Sequence, residues 1–472
     1  MKLSYKHIHF VGIKGVAMTS LALYCKDQRI VVTGSDVEGV FPTQHALDKA
    51  QISITEGFSA ETINKHKHLD CVIYTGAHGG RDNVEVVTAI KRGIPVLSHG
   101  QALGKIMDGL RQISVAGSHG KTTTSAMLAC IFSSASLDPS YAIGCGEIQG
   151  LGNPGHFGKG LAFIAEADEY MTDPGHDNTP RFLWQHPELL VVTNIDYDHP
   201  DVYKNLEDVQ NAFIKLQAQM TGIKITIINN DDIPSRVLRS SNNHVITYGY
   251  STGSQYQITH VSFEEGRTFF TVSMRGTAIG EFLLNVPGKH NIMNALGAIA
   301  GAHEFGVSYD LIKKGLLSFG GAKRRLELLY TGHDIRIYDD YAHHPHEIIA
   351  SIDGLRAWYP KNRIITVFQP HTYSRTQSLL PEFARSFFKS DVVLVADIYA
   401  SARETARTDI NSAKLVEAIA KYHANVQYIK DKYGALAYIK AHVLPGDIIV
   451  CMGAGDIYEW GYAIASSIQK NV

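Results

Sequence analysis

The chain has 472 residues, 44 Lys and Arg against 46 Asp and Glu, and a formal net charge of −2. That balance excludes a protein whose main work is coating nucleic acid or an acidic membrane, and the length is too great for one ordinary core. No segment approaches the roughly 18 apolar residues that span a bilayer, which argues against membrane insertion, and five scattered cysteines without a C-x-x-C pair fit a reducing, cytoplasmic compartment.

In chain order, the opening MKLSYKHIHFVGIKG enters a strand pattern at once, with no leader-like apolar core. Residues 1–110 alternate short apolar runs (HIHFVGI, RIVVTGSD, DCVIYTGA, IPVLSHG) with helix-length stretches, which predicts a Rossmann-like, doubly wound α/β domain. A second α/β unit, 111–321, opens at QISVAGSHGKTTT and runs through GLAFIAEADEY, ELLVVTNIDYDH and KITIINNDD. Around 244–286 the pattern shifts towards antiparallel strands, and KHNIMNALGAIAGAHEFG reads as a helix with small apolar residues on one face. A third α/β unit, 322–472, carries IRIYDDYA, RIITVFQP, DVVLVADIY and DIIVCMGAG, again Rossmann-like. Ligands of such sheets bind beyond the carboxyl ends of the strands, where the polar clusters fall.

The stretch GSHGKTTT has the parts of a phosphate loop, which makes 111–321 a P-loop-type ATPase domain. Gly117 and Gly120 let the backbone approach an anion, with Ser118 and His119 between them. The following helix offers the positive end of its dipole, and Lys121 a full charge. Thr122 or Thr123 offers a hydroxyl to magnesium. Val115 stands where the standard motif has its first glycine, so the other reading is a Gly-rich turn with an exposed lysine. Two further strand ends deliver acids: Glu166, Asp168 and Glu169 after AFIA, then Asp196, Asp198 and His199 after LVVTN. Hard oxygen ligands suit Mg2+, although acids at strand ends also serve as plain helix caps. Three such strand ends in sequence order point to nucleotide hydrolysis or transfer.

With these residues the chain resembles the Mur ligases, ATP-dependent amide-forming enzymes of peptidoglycan synthesis. Gly117–Thr123 matches the family's G-T-x-G-K-T-T loop, with Ser118 in place of the usual threonine. EADEY and TNIDYDHPD match its acidic segments, and GKHNIMNALGA its H-N-x-x-N-A helix. The resemblance implies three domains that bind, in order, a UDP-sugar, ATP and an amino acid. It implies that Lys121 and Thr122 hold phosphate and metal, that Glu166 and His199 are metal-side ligands, and that Asn291 and Asn294 meet the adenine side of ATP. Asp339 or Asp340 is expected at the ribose and Arg325 at the phosphates. Tyr341, His343, His344, His371 and Arg375 are expected where the amino acid joins, with Arg375 gripping its carboxylate. By pattern alone, AHHPH could instead be a solvated loop or an adventitious metal site.

Within the family, GGAKRRLEL, YDDYAHHPHEI, VFQPHTYSRT, DIYASARE and MGAGDI are similar to the branch that adds L-alanine to UDP-N-acetylmuramate. The expected reaction activates the lactyl carboxylate as an acyl phosphate, which the amine of alanine attacks. A recycling branch that attaches an intact tripeptide to the same sugar nucleotide is the nearest rival, and it typically lacks QPHTYSRT. Either a monomer or a homodimer fits. Outside this class, a dehydrogenase would leave Lys121, Glu166 and His199 unexplained, and a non-catalytic nucleotide-gated binding protein would tolerate loss of the metal ligands.

The first loop departs from the family's G-x-G-G-x-G: Gly12 and Gly15 remain, but Lys14 and Ala17 replace glycines. Asp36 ends the next strand, where an acid can meet a ribose hydroxyl. Lys14 either adds charge near a pyrophosphate or points outward. Thr75–Asn83 (TGAHGGRDN) and Met171–Phe182 (MTDPGHDNTPRF) have no counterpart in the family pattern, so an altered sugar nucleotide stays open.

Overall fold

A computed structural model describes residues 5–39, 41–199, 201–240, 243–400 and 409–470. The chain divides into two compact units: 1–261 with 269–284 and 292–320, and 321–472 with 262–268 and 285–291.

The first unit carries two large sheets and a small two-stranded one. β1 (His7–Val11), β2 (Val31–Asp36), β3 (Ser53–Glu56), β4 (Cys71–Tyr74) and β5 (Val96–Ser98) form a parallel sheet in the order β3-β2-β1-β4-β5. The order reverses beside β1, so the Gly12–Gly15 turn stands at the switch point where such folds bind ligands. The helix Val16–Asp27 follows β1 and buries Leu21, Ala22 and Tyr24, with the Tyr24 ring against Phe157 and Phe163.

The second sheet takes in β6 (Arg111–Ala116), β7 (Ser140–Ala142), β9 (Gly155–His156), β10 (Ala162–Ala167), β13 (Leu189–Val192), β14 (Ile225–Asn229), β15 (His244–Gly249), β16 (Tyr256–Glu264), β17 (Arg267–Met274) and β18 (Thr277–Leu284), while β8 (Ile148–Gln149), β11 (Met171–Asp173) and β12 (Asp177–Pro180) lie outside it. Its order is β18-β17-β16-β15-β14-β13-β6-β10-β7-β9. Parallel strands covered on both faces read as continuous apolar runs, and β13 (LLVV) is buried at every position. The antiparallel expectation for 244–286 needs correction at its start: β15 is parallel to both β14 and β16. Alternating burial there comes from the sheet's solvent-facing side, and alternation alone does not fix strand direction. Only β16–β18, joined by the tight turns at Gly266 and Gly276, form a meander.

In the second unit β19 (Gly321–Ala322) precedes a six-stranded sheet of β20 (Glu327–Gly332), β21 (Ile335–Asp340), β22 (Ile364–Phe368), β23 (Val392–Ala396), β24 (Val426–Lys430) and β25 (Ile448–Met452). Its order is β20-β21-β25-β22-β23-β24, with only the edge strand β20 antiparallel. β22, β23 and β25 are buried throughout.

A histidine cluster ties the first sheet to its surroundings. His9 is fully buried against Glu85, at 3.3 Å, and the His7 and His66 rings meet edge-on. Burial, then the neighbouring His7 and His9 and the cations Lys65 and Arg92, press the His66 pKa down to about 4. A depressed folded-state pKa means that the unfolded chain binds the proton more tightly. The stabilisation is therefore complete above the ordinary histidine range and is lost as pH falls from about 6.5 towards 4. The melting temperature is expected to drop between pH 7 and 5, and His66→Phe should flatten that slope in a thermal-melt series. An unchanged slope would assign the acid sensitivity to other groups.

Candidate active site

The centre of the first unit is the turn between β6 and the helix Lys121–Ser134. Gly117 (φ +143°) and Gly120 (φ +83°) adopt backbone angles that favour glycine. A methyl group at Gly117 would overlap the Thr193 hydroxyl, and one at Gly120 the Asn294 amide oxygen. The end of β13 cradles the loop: the His119 N–H donates to Asn194 Oδ1 (2.9 Å), the Asn194 amide donates back to the His119 carbonyl (3.0 Å), and the Asp196 N–H donates to Ser118 Oγ (2.8 Å). The helix has no acidic residue in its first turn, so its positive end faces this loop unneutralised from within.

Two short contacts organise the charges. Lys121 Nζ donates to Glu169 Oε2 at 2.8 Å, and the Thr122 hydroxyl donates to Glu166 Oε2 at 3.1 Å. The other Glu166 oxygen accepts the Gly144 N–H at 2.6 Å, which fixes the carboxylate's plane. His199 Nε2 stands 3.7 Å from Glu169 and 3.8 Å from Asp198. Burial alone would lower the Lys121 pKa, but Glu169 and then Asp168 outweigh it and push it up to about 12, so the side chain stays charged. Burial would likewise raise Asp168; Arg181, Lys121 and His199 together hold it below the usual carboxylate range. Glu169 is the residue that pattern reasoning passed over. It was one of three acids in EADEY, and only the geometry singles it out as the lysine's counter-ion. Glu169 Oε1 is buried without a hydrogen-bond partner. Carboxylate and hydroxyl oxygens are the ligands a hard cation such as Mg2+ takes, and Glu166 with the Thr122 hydroxyl supplies both kinds.

At the first sheet, Gly12 (φ +82°) packs against Thr75 and His78. Asp36 is buried, and its two oxygens accept the N–H groups of Lys14 (2.7 Å) and Val37 (2.8 Å). The carboxylate closes the Gly12–Gly15 turn from inside. Lys14 does not point outward: it is 3 % exposed and donates to the carbonyls of Val37 and Gly39, stapling the chain after β2.

The second unit gathers the third set. Asp339 is 1 % exposed, 3.4 Å from the Arg324 guanidinium, and burial lifts its pKa to about 7. Asp340 accepts the N–H groups of Leu326 and Ala342 and the Ser351 hydroxyl, and burial lifts it to about 6. Of the two, Asp339 is the one with an oxygen left without a partner. Arg324 is bound up with Asp339 and the Gly453 carbonyl, while Arg325 lies over the Tyr341 ring at 5.2 Å. The rings of Tyr341 and His343 are 5.0 Å apart, those of His343 and His371 5.8 Å, and His371 stacks on Tyr399. His344 caps the helix Pro345–Trp358 in a capping box with Glu347 and is 5 % exposed, a local structural task that its sequence position did not reveal. Arg375 sits in the first turn of Tyr373–Ser378, which Thr372 caps just beyond β22. Asn291 donates to the Pro287 carbonyl at the start of the Lys289–Glu304 helix, whereas Asn294 reaches Gly120. The last four residues of DIYASARE lie outside the described residues.

Three parts of the chain match family models in series: "Mur ligase family, catalytic domain" over residues 7–111, "Mur ligase middle domain" over 115–302 and "Mur ligase, glutamate ligase domain" over 324–455. The chain belongs to the Mur ligase family. It is 38% identical over 97% of its length to a UDP-N-acetylmuramate–L-alanine ligase of Desulfitobacterium hafniense, of which it covers 99%. It is 40% identical over 97% to the Acetivibrio thermocellus protein of the same name, covering 95% of it. Among solved structures, the alanine ligase of Thermotoga maritima shares the fold with a TM-score of 0.83 at 24% identity, covering 99% of this chain and all of that one. A murein peptide ligase of Psychrobacter arcticus gives 0.71 at 25% identity, covering 99% of both chains.

Proposed function

We infer that this chain is an ATP-dependent carbon–nitrogen ligase that joins L-alanine to the lactyl carboxylate of UDP-N-acetylmuramate, in peptidoglycan precursor synthesis. The observation that carries the reading is the nearly end-to-end identity of 38–40% to alanine-adding ligases. It is supported by an ionised lysine and a hydroxyl–carboxylate pair at one glycine-rich turn. We assign 1–110 to the sugar nucleotide, 111–321 to ATP and 322–472 to the amino acid.

In this reading the N–H groups of Gly117–Gly120 and the Lys121 ammonium take the ATP phosphates, and Lys121 exchanges Glu169 for the γ-phosphoryl oxygens. Thr122, Glu166 and His199 would hold a magnesium ion, which supplies charge neutralisation to the phosphoryl group. The lactyl carboxylate attacks that group and ADP leaves; the alanine amine then attacks the acyl carbon, and inorganic phosphate leaves as the amide forms and the amine gives up a proton. Most of the rate comes from positioning and charge stabilisation rather than from covalent chemistry on the protein. Arg375 anchors the alanine carboxylate, beside the His343–His371 pair. Five buried cysteines held as thiols rather than disulfides support a reducing, cytoplasmic setting.

A single-turnover mixture of ATP, magnesium, UDP-N-acetylmuramate and L-alanine should yield a nucleotide heavier by one alanyl residue by mass spectrometry; an unchanged nucleotide mass would refute the reading. A charged hydrogen-bonded contact is worth about 1.5–3 kcal/mol, so Arg375→Ala should raise the KM for alanine by roughly 10- to 100-fold. The KM values for ATP and the sugar nucleotide should stay within about twofold. A loss shared by all three substrates would move Arg375 out of the alanine site.

A further inference from the structure

The two segments without a family counterpart in the sequence, 75–83 and 171–182, explain each other in three dimensions. β11 and β12 pair as an antiparallel hairpin, with Met171 opposite Pro180 and Asp173 opposite Asp177. The tip of β11 is seated on the loop that follows β4. Asp173, 1 % exposed, accepts the Arg81 N–H at 3.0 Å. A side chain at Gly80 would overlap the Asp173 carboxylate, and one at Gly76 the Thr172 carbonyl, so the glycines of TGAHGG are what lets the hairpin approach. At the rim, His176 lies 2.8 Å from Asp82. The loop in turn is aimed at the first domain's glycine turn: Asn83 holds the His78 carbonyl at 3.0 Å, and the His78 ring stands against Gly12 and 3.6 Å from Asp36.

The hairpin's other end is rooted in the acidic segment after β10. The Arg181 guanidinium donates to Asp168 at 2.9 Å and to the Met171 carbonyl at 3.1 Å, and the Phe182 N–H donates to the Asp168 carbonyl. Trp184 Nε1 donates to the Thr172 hydroxyl, and its backbone packs on Gly104 of the helix His99–Met107. One rigid ribbon therefore spans from the catalytic acids to the turn at Gly12, within the first unit.

We propose that the 171–180 hairpin is a strap that fixes the Thr75–Asn83 loop over the Gly12 turn, and that Asp173 is the positioning residue through which it sets the affinity for the nucleoside-diphosphate sugar without touching that substrate. The Asp173 carboxylate, which accepts the Arg81 N–H, and the His176–Asp82 contact tie the loop to the strap. The proposal rests on the assignment of the first domain to the sugar nucleotide.

The test has two readouts on the full-length protein. In steady-state kinetics, Asp173→Ala should raise the KM for UDP-N-acetylmuramate about tenfold, with kcat and the KM for ATP within about twofold. Asp173→Asn, which keeps an acceptor for Arg81, should restore most of it. His176→Ala, at the exposed rim, should give a smaller rise in the same KM without loss of fold. In hydrogen exchange without substrates, the Arg81 amide should lose at least tenfold protection in Asp173→Ala. Unchanged Arg81 protection, or KM values for ATP and sugar rising together, would overturn the strap. If the wild-type protein turned over no UDP-N-acetylmuramate, the functional reading would fail, while the exchange data would still decide whether the strap exists.

Discussion

Replacing Lys121 by Met is expected to lower kcat by roughly a thousandfold, the loss typical of a lone preorganised charge at developing phosphoryl charge. The same change should also lower stability by about 3 kcal/mol, because it leaves Glu169, 2 % exposed, as an unpaired buried carboxylate. The two effects separate in the double variant. Lys121→Met with Glu169→Gln should recover most of the melting temperature and none of the turnover. If the double variant regained activity, Lys121 would be a structural partner of Glu169, and the phosphate assignment would be wrong. Lys121→Arg should not substitute, since the guanidinium fork is larger than the space between Gly117, Ser118 and Glu169 that the ammonium fills.

The second large effect is expected at Glu166. Its two oxygens accept the Thr122 hydroxyl and the Gly144 N–H, so Glu166→Gln keeps the size of the side chain and one acceptor, while it removes the charge and turns the other acceptor into an NH2 donor. Turnover should fall by about 100- to 1,000-fold at ordinary magnesium and recover in part as magnesium is raised, since an amide oxygen is a weaker ligand for a hard cation. A magnesium titration of kcat checks this. A variant with normal magnesium dependence would show that Glu166 only braces the Gly144 loop.

What sequence made readable follows from where local chemistry dictates residue type. A backbone that must wrap a phosphate needs Gly117 and Gly120 at positive φ and a lysine at the helix start, and these stand together in eight residues. Parallel strands buried on both faces read as apolar runs, which is why three α/β units could be laid out in order. Roles set by distant partners were not legible. Nothing local separates Glu169 from Asp168; the difference is that one faces Lys121 and the other Arg181. Lys14 could be read as pointing outward, but it is buried and donates to carbonyls of the chain after β2. His344 sits in a run of histidines that reads as a site, and that run gave no hint that His344 also caps a helix. The hairpin at 171–180 and the glycines at 76 and 80 were each unexplained alone, because each is the other's reason.

The central claim is that the glycine turn at Lys121 activates a carboxylate for alanine. Phosphate release by the purified protein with ATP and magnesium, with UDP-N-acetylmuramate and L-alanine added singly and together, measures it most directly. Release that needs both, and that an intact tripeptide does not elicit in place of alanine, is the predicted result. Release with the tripeptide alone, or release indifferent to the amino acid, would contradict it.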